Sequence, residues 1–161
     1  DLDRLLEDVI LFLGPKANAG DVELVREELP AADPIAAFPE GAVKQILLNL
    51  VANAIEASPE GSRVLVKASL AERELVLQVE DSGKGIAADE AGSIFQPFYS
   101  TKSPQAKATG IGLAITRNIV DRLQGRISFR SRAGEGTLFR VSIPLAGDGC
   151  RHASGGGDRE E

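Results

Sequence analysis

Apolar residues recur along residues 1–13, DLDRLLEDVILFL, at the three- and four-residue spacing of a helix with one buried stripe, and Gly14-Pro15 supplies a stop signal. Residues 21–29, DVELVREEL, set Val22, Leu24 and Leu29 among polar neighbours as a strand would, and Pro30 and Pro34 bracket a second short extended piece. Residues 39–58 then carry a long, mostly apolar helix that stops at Ser58-Pro59-Glu60-Gly61. Two strands follow, 62–70 and 74–81, separated by a short polar turn and so expected as a hairpin. Beyond a glycine-rich stretch, residues 112–125 read as a helix with Gly125 at its C′ position, and RISFRSR and TLFRVSIPL form a last strand pair around AGEG. Strands and helices are mixed without a repeated βαβ unit.

The 39–58 helix has a narrow polar stripe. At ~100° per residue, Gln45, Asn49, Asn53 and Glu56 fall within roughly 80°, while Val43, Ile46, Leu47, Leu50, Val51, Ala54 and Ile55 fill most of the remainder. An amide on so apolar a helix costs ~1–3 kcal/mol unless it is hydrogen-bonded. Asn49 and Asn53 therefore face a neighbouring loop, solvent, or a ligand; amide oxygens are hard donors suited to Mg²⁺, which takes few protein ligands alongside phosphate oxygens.

Composition narrows the classes. A chain of 161 residues with 43% hydrophobic residues can bury one domain's core. Its net charge of −6 and lack of a basic run argue against nucleic-acid binding. No apolar run approaches the ~20 residues of a bilayer span, and the acidic start is unlike a signal peptide, so no membrane contact and a cytoplasmic setting are expected. Cys150 is alone, which argues against a disulfide framework. Residues 146–161, with Cys150 and the only histidine, His152, have no periodicity and read as a disordered tail after a domain spanning 1–145.

DSGKG (81–85) ends an apolar strand with Asp81, where a carboxylate can accept from an amino group, and Gly83 and Gly85 permit close backbone approach. ATGIGLAI (108–115) puts Gly110 and Gly112 at a helix start, where free N–H groups suit phosphate. Each is weak by itself. Taken with QILLNLVANAIEA, IFQPFYSTK and GEGTLFRVSIPL, they follow the order and approximate spacing of the N, G1, F, G2 and G3 boxes. The chain resembles the ATP-binding catalytic domain of sensor histidine kinases, in the superfamily of DNA gyrase B, Hsp90 and MutL, over about residues 1–145.

That resemblance implies an α+β, two-layer Bergerat fold: a mixed, mostly antiparallel sheet of about five strands with helices on one face and ATP between the helices and a lid. It implies Asn53 as the Mg²⁺ ligand and Asp81 as acceptor for the adenine amino group, with Gly83 and Gly85 around the adenine and Gly85 on the pocket floor. Gly110, Gly112 and Leu113 would offer N–H groups to the phosphates, and Thr137 would support the adenine end through Asp81. Lys102 would neutralise phosphate charge beside a lid at 103–109, Lys107 is open to that role or to that of a solvated loop lysine, and Phe95, Phe98 and Tyr99 would anchor the lid base. Asn49 stands where ATP-hydrolysing relatives have a glutamate base, which favours transfer to a protein nucleophile over hydrolysis. Glu56 is open to two readings, a partner near Mg²⁺ or a surface carboxylate.

The implied reaction is transfer of the ATP γ-phosphoryl to a histidine on a separate dimerisation and phosphoacceptor domain, with a response regulator downstream. The short lid and the NLVANAIEA and PFYSTK segments look most like nitrogen-regulation-type or PAS-linked kinases. No hairpin domain or histidine precedes Asp1, so residues 1–13 are expected to end a linker and the chain to be a monomeric catalytic fragment. An anti-sigma-factor-type serine kinase and a non-catalytic nucleotide sensor are the competing readings.

Overall fold

The computed structural model describes residues 1–27, 38–71, 73–99 and 110–145. In order they form α1 (Leu2–Ala19), β1 (Val22–Arg26), α2 (Glu40–Ala57), β2 (Ser62–Ala71), β3 (Glu74–Asp81), α3 (Gly112–Arg122), β4 (Arg126–Arg132) and β5 (Gly136–Pro144). The five strands make one sheet in the order β1-β2-β3-β5-β4. β1 runs parallel to β2 and every other pairing is antiparallel, as expected for a mixed, mostly antiparallel sheet.

Alternation along the strands decides which face is covered. Val64, Val66 and Ala68 on β2, Leu75, Leu77 and Val79 on β3, and Phe139, Val141 and Ile143 on β5 are buried. They meet Val43, Ile46, Leu47, Leu50, Val51, Ala54 and Ile55 of α2 in a single core. Asp81 and Thr137 continue the inward-facing series by one step, in register with each other, and so project inward at the end of β3.

Three expectations are corrected. The first helix does not stop at Gly14-Pro15 but runs to Ala19 with Pro15 inside it. Proline cannot donate to the carbonyl four residues back, that of Leu11, and Leu11 is on the exposed side at 80% accessibility. Leu13 before the break and Ala17 beyond it are buried on the stripe begun by Leu2, Leu6 and Val9, so packing continues the helix past its stop signal. At the other end of the core, Gly125 is not C′. Gln124 takes the left-handed conformation (φ 54°), and the Gln124 and Gly125 amides donate to the Asp121 and Val120 carbonyls at 3.0 and 2.9 Å. Gly125 is needed one position later, where a Cβ would lie 2.5 Å from the Ser142 carbonyl oxygen. The expected strand at 21–29 is shorter, ending at Arg26, and residues 28 and 29 lie outside the described residues, as does the Pro30–Pro34 piece.

Candidate nucleotide site

A cleft of about 140 Å³ opens between α2, the loop after β3 and the start of α3. Asn53, Asp81, Gly85, Gly110, Gly112, Leu113 and Thr137, seven residues selected from sequence, line it together. Ala54, Ala57, Lys84, Ile86, Glu90, Ile94, Tyr99 and Phe139 complete the wall. A larger hollow of about 720 Å³ is lined by Asn18, Asp21, Glu23, Ser62 and Arg63 among others, none of them selected from sequence. The small cleft is where the amide, carboxylate and free helix end converge.

At the strand end, Asp81 is 5% exposed and accepts from the Gly83 N–H at 2.8 Å. Burial pushes its carboxyl above the ordinary aspartate value, against the opposing pull of the Gly83 and Thr137 backbone groups. A buried acceptor held by backbone donors can meet an amino group that arrives in the cleft. Gly83 passes so close to α2 that a Cβ would lie 2.3 Å from the Ala57 carbonyl oxygen.

Behind Asp81 the loop is clasped to the β4–β5 turn. Gly85 has φ 69°, and a Cβ on it would lie 1.9 Å from the Arg132 carbonyl oxygen. The Gly134 N–H donates to the Lys84 carbonyl at 2.7 Å and the Ile86 N–H to Ser131 Oγ at 2.8 Å. Ser131 Oγ also donates to the Gly136 carbonyl at 2.8 Å and lies 2.9 Å from Thr137 Oγ1. Ser131 thus fixes both the loop and the strand bearing Thr137; in sequence it is one polar residue in an alternating strand and gives no sign of this.

At the opposite end α3 begins at Gly112 without a side-chain cap and without an acidic residue in its first turn. Its free N–H groups and positive dipole end face the cleft through Gly112 and Leu113, an arrangement suited to an anion. The two asparagines of α2 separate here. Asn49 donates to the Gly112 carbonyl at 3.2 Å and Thr116 Oγ1 at 3.3 Å and accepts from Gln45 at 3.2 Å, so it ties α2 to α3 and does not line the cleft. Asn53 lines the cleft and has no side-chain hydrogen bond to another described residue. Thr116, fully buried with its hydroxyl on the Gly112 carbonyl at 2.9 Å, belongs to the same tie and was not selected from sequence.

Lys102, Lys107, the 103–109 segment and His152 lie outside the described residues. Glu56 pairs with Lys16 of α1 and does not line the cleft. Phe95 packs edge-on against Phe129 and Phe139 at 6.1 and 6.5 Å, and Tyr99 is half-buried at the cleft wall. Phe98 is corrected: its φ of 64° lets its N–H reach the Gly110 carbonyl at 3.1 Å and leaves the ring 79% exposed, not anchored. Among the described residues no group of three histidine, cysteine or carboxylate side chains could hold a metal, and no helix is long and apolar enough to cross a membrane. A cation here would rest on Asn53 and on the ligand's own oxygens, the few-ligand pattern that suits Mg²⁺.

Residues 39–147 match the family model described as histidine kinase-, DNA gyrase B-, and HSP90-like ATPase. The chain is 36% identical over 145 residues to the sensor histidine kinase ZraS of Escherichia coli K12, covering 90% of this chain and 30% of that protein. It is 31% identical over 143 residues to sporulation kinase E of Bacillus subtilis 168, covering 88% of this chain and 19% of the relative. The chain therefore spans less than a third of these curated relatives. Among solved structures, the catalytic domain of histidine kinase ThkA in a nucleotide-free form superposes with TM-score 0.76 at 30% identity, covering 89% of this chain and 92% of that one. Full-length ShkA in complex with AMPPNP superposes with TM-score 0.79 at 29% identity, covering 91% of this chain and 30% of that one. With the five-stranded open sheet and the cleft at its end, these matches place the chain in the histidine kinase-, DNA gyrase B- and HSP90-like ATPase family, as an ATP-binding catalytic domain of the sensor histidine kinase type.

Proposed function

We propose that this domain binds Mg²⁺-ATP in the cleft and presents its γ-phosphoryl group to a histidine on a separate helical domain of the same parent kinase, from which a response regulator is phosphorylated. The observation that carries the reading is the convergence in one cleft of a buried acceptor, Asp81, an uncapped helix end at Gly112, and an unengaged amide, Asn53. The adenine amino group donates to Asp81, Gly85 lies against the base, and the α3 N–H groups take phosphate oxygens. Thr137 and Ser131 hold the Asp81 end in place. Asn53 would hold Mg²⁺ alongside the nucleotide, and the ion would supply charge neutralisation on the transferring group.

The protein's own part is positioning and electrostatics, since an imidazole is nucleophilic without activation. Water lacks that advantage, and Asn49, spent on the α2–α3 tie, cannot take its proton. Lys102, by the family resemblance, would add positive charge to the phosphates. Phe98 and Ile115, 79% and 40% exposed beside Gly110 and the first turn of α3, offer apolar contact to the incoming domain. Use of ATP and of a response regulator places the domain in the cytoplasm.

The fate of the γ-phosphoryl in the chain alone tests this reading. Incubated with γ-labelled ATP and Mg²⁺, the chain binds nucleotide but releases little phosphate and does not label itself. Steady phosphate release that disappears in Asn53→Ala identifies an ATPase instead. Label on the chain that is lost in His152→Ala would give His152 an acceptor role.

A further inference from the structure

A second concave site lies at the β4 edge of the sheet. A hollow of about 380 Å³ is lined by Arg117 of α3, Arg126 and Ser128 of β4, and Arg140 and Ser142 of β5, together with Gly125 and Ile127; no carboxylate is among these lining residues. Register explains the cluster. Arg126 faces Ser142 and Ser128 faces Arg140 across the antiparallel pair, so two guanidiniums occupy one diagonal of a four-residue square and two hydroxyls the other. Diagonal positions start roughly 7–8 Å apart, within the reach of two arginines converging on one small anion.

The third arginine is held in place. Arg117 Nε donates to the Asp121 carboxylate at 3.3 and 3.4 Å, and its guanidinium sits 5.5 Å from the centre of the Phe95 ring, which leaves its terminal amino groups available. Arg126 and Arg140 are exposed and have no ion pair with a described residue. Six arginines stand against two carboxylates between residues 110 and 145, in a chain whose net charge is −6. Charged residues on an edge strand also deter strand addition. That need is met along β4 alone and does not account for Arg140 one strand in, for the two hydroxyls between the guanidiniums, or for the concavity.

We propose that this hollow is a second anion site that takes a phosphate group through the guanidinium forks of Arg117, Arg126 and Arg140 and the hydroxyls of Ser128 and Ser142, apart from the nucleotide cleft. Guanidinium forks match phosphate oxygens in pairs, and the hydroxyls supply the donors between them. The group comes from a soluble phosphate or diphosphate or from the headgroup of an anionic lipid. The inference is independent of the nucleotide reading, because the residues that line this hollow and those that line the cleft have no member in common.

The test follows backbone amide NMR shifts of residues 125–128 and 140–142 while pyrophosphate is titrated into wild type, Ser128→Ala and the double variant R126A/R140A. A parallel arm sediments the same proteins with vesicles of phosphatidylcholine, with and without phosphatidylglycerol. The expected result is saturable binding that weakens about tenfold or more in R126A/R140A and about threefold or more in Ser128→Ala, which leaves the charge unchanged. Pyrophosphate binding assigns a soluble source. Binding confined to phosphatidylglycerol vesicles, with the same loss in the variants, assigns the lipid. The altered side chains are exposed or half-buried, so unchanged thermal midpoints verify the fold. Shifts that chloride reproduces at equal ionic strength, Ser128→Ala binding like wild type, or no binding in either arm overturn the proposal.

Discussion

Gly85→Ala probes the clasp that shapes the adenine end. The residue has φ 69°, which costs an alanine roughly 1–2 kcal/mol. The added methyl would also lie 1.9 Å from the Arg132 carbonyl oxygen and 2.7 Å from its carbon, backbone atoms that cannot rotate away. Relief requires the loop to part from the β4–β5 turn, with loss of the bonds from Gly134 N–H to Lys84 (2.7 Å) and from Ile86 N–H to Ser131 (2.8 Å). At about 1 kcal/mol each, the total loss is about 3–4 kcal/mol. Two controls grade the effect. Gly134→Ala shares the positive φ, at 81°, but meets nothing within 4 Å, so it should cost only the conformational ~1–2 kcal/mol. Gly92→Ala has neither burden and should be close to neutral. Urea unfolding gives the stabilities, and calorimetry with ATP should show Gly85→Ala binding at least about tenfold more weakly. Equal stability for Gly85→Ala and Gly134→Ala, with ATP affinity intact in both, would refute the clasp.

Other substitutions address the remaining parts. Asp81→Asn should weaken ATP binding about 10- to 100-fold by placing a donor near the adenine amino group, while an unchanged ATP-to-GTP preference would remove Asp81 from base recognition. Burial favours the protonated Asp81 carboxyl in the fold, so its stabilising contribution is full below the ordinary value of 3.8 and is lost as pH rises through the raised native value. The stability of wild type relative to Asp81→Asn should therefore fall between acid and neutral pH; a difference flat with pH contradicts the assigned burial effect. Asn53→Ala should abolish the Mg²⁺ dependence of nucleotide binding with little change in melting temperature, as measured by calorimetry with and without chelator. Asn49→Ala should instead cost about 1–3 kcal/mol in urea unfolding, because the tie to Gly112 and Thr116 is lost; an unaltered stability would show the tie to be idle.

Much of this was legible in the sequence. Periodicity predicted a mixed order of helices and strands and the apolar stripe of α2, whereas the two-layer α+β fold and the role of Asp81 came from the resemblance carried by the five boxes. Local signals misled where packing outweighed them. Pro15 reads as a stop, yet Ala17 beyond it is buried on the same stripe as Leu13 before it, and α1 continues to Ala19. Gly125 reads as C′, yet the Ser142 carbonyl beside it requires a glycine for space, and Gln124 adopts the left-handed turn. The two asparagines of α2 share one stripe, and only the position of α3 distinguishes Asn49, hydrogen-bonded across the helices, from Asn53, facing the cleft. Ser131 and the arginine square depend on cross-strand register between β4 and β5, which a one-dimensional pattern of alternating residues does not fix.

The central claim is that the cleft sends the γ-phosphoryl of ATP to a histidine on another domain. The direct measurement mixes the chain with separately produced helical-hairpin domains from sensor kinases, each with its histidine intact or replaced, in γ-labelled ATP and Mg²⁺, and follows acid-labile, base-stable label by gel. The account predicts label on a hairpin domain only when its histidine is present, with little release of free phosphate, and loss of that label with Asn53→Ala in the catalytic chain. Label that stays on the chain, lands on serine, or is replaced by steady hydrolysis would contradict it.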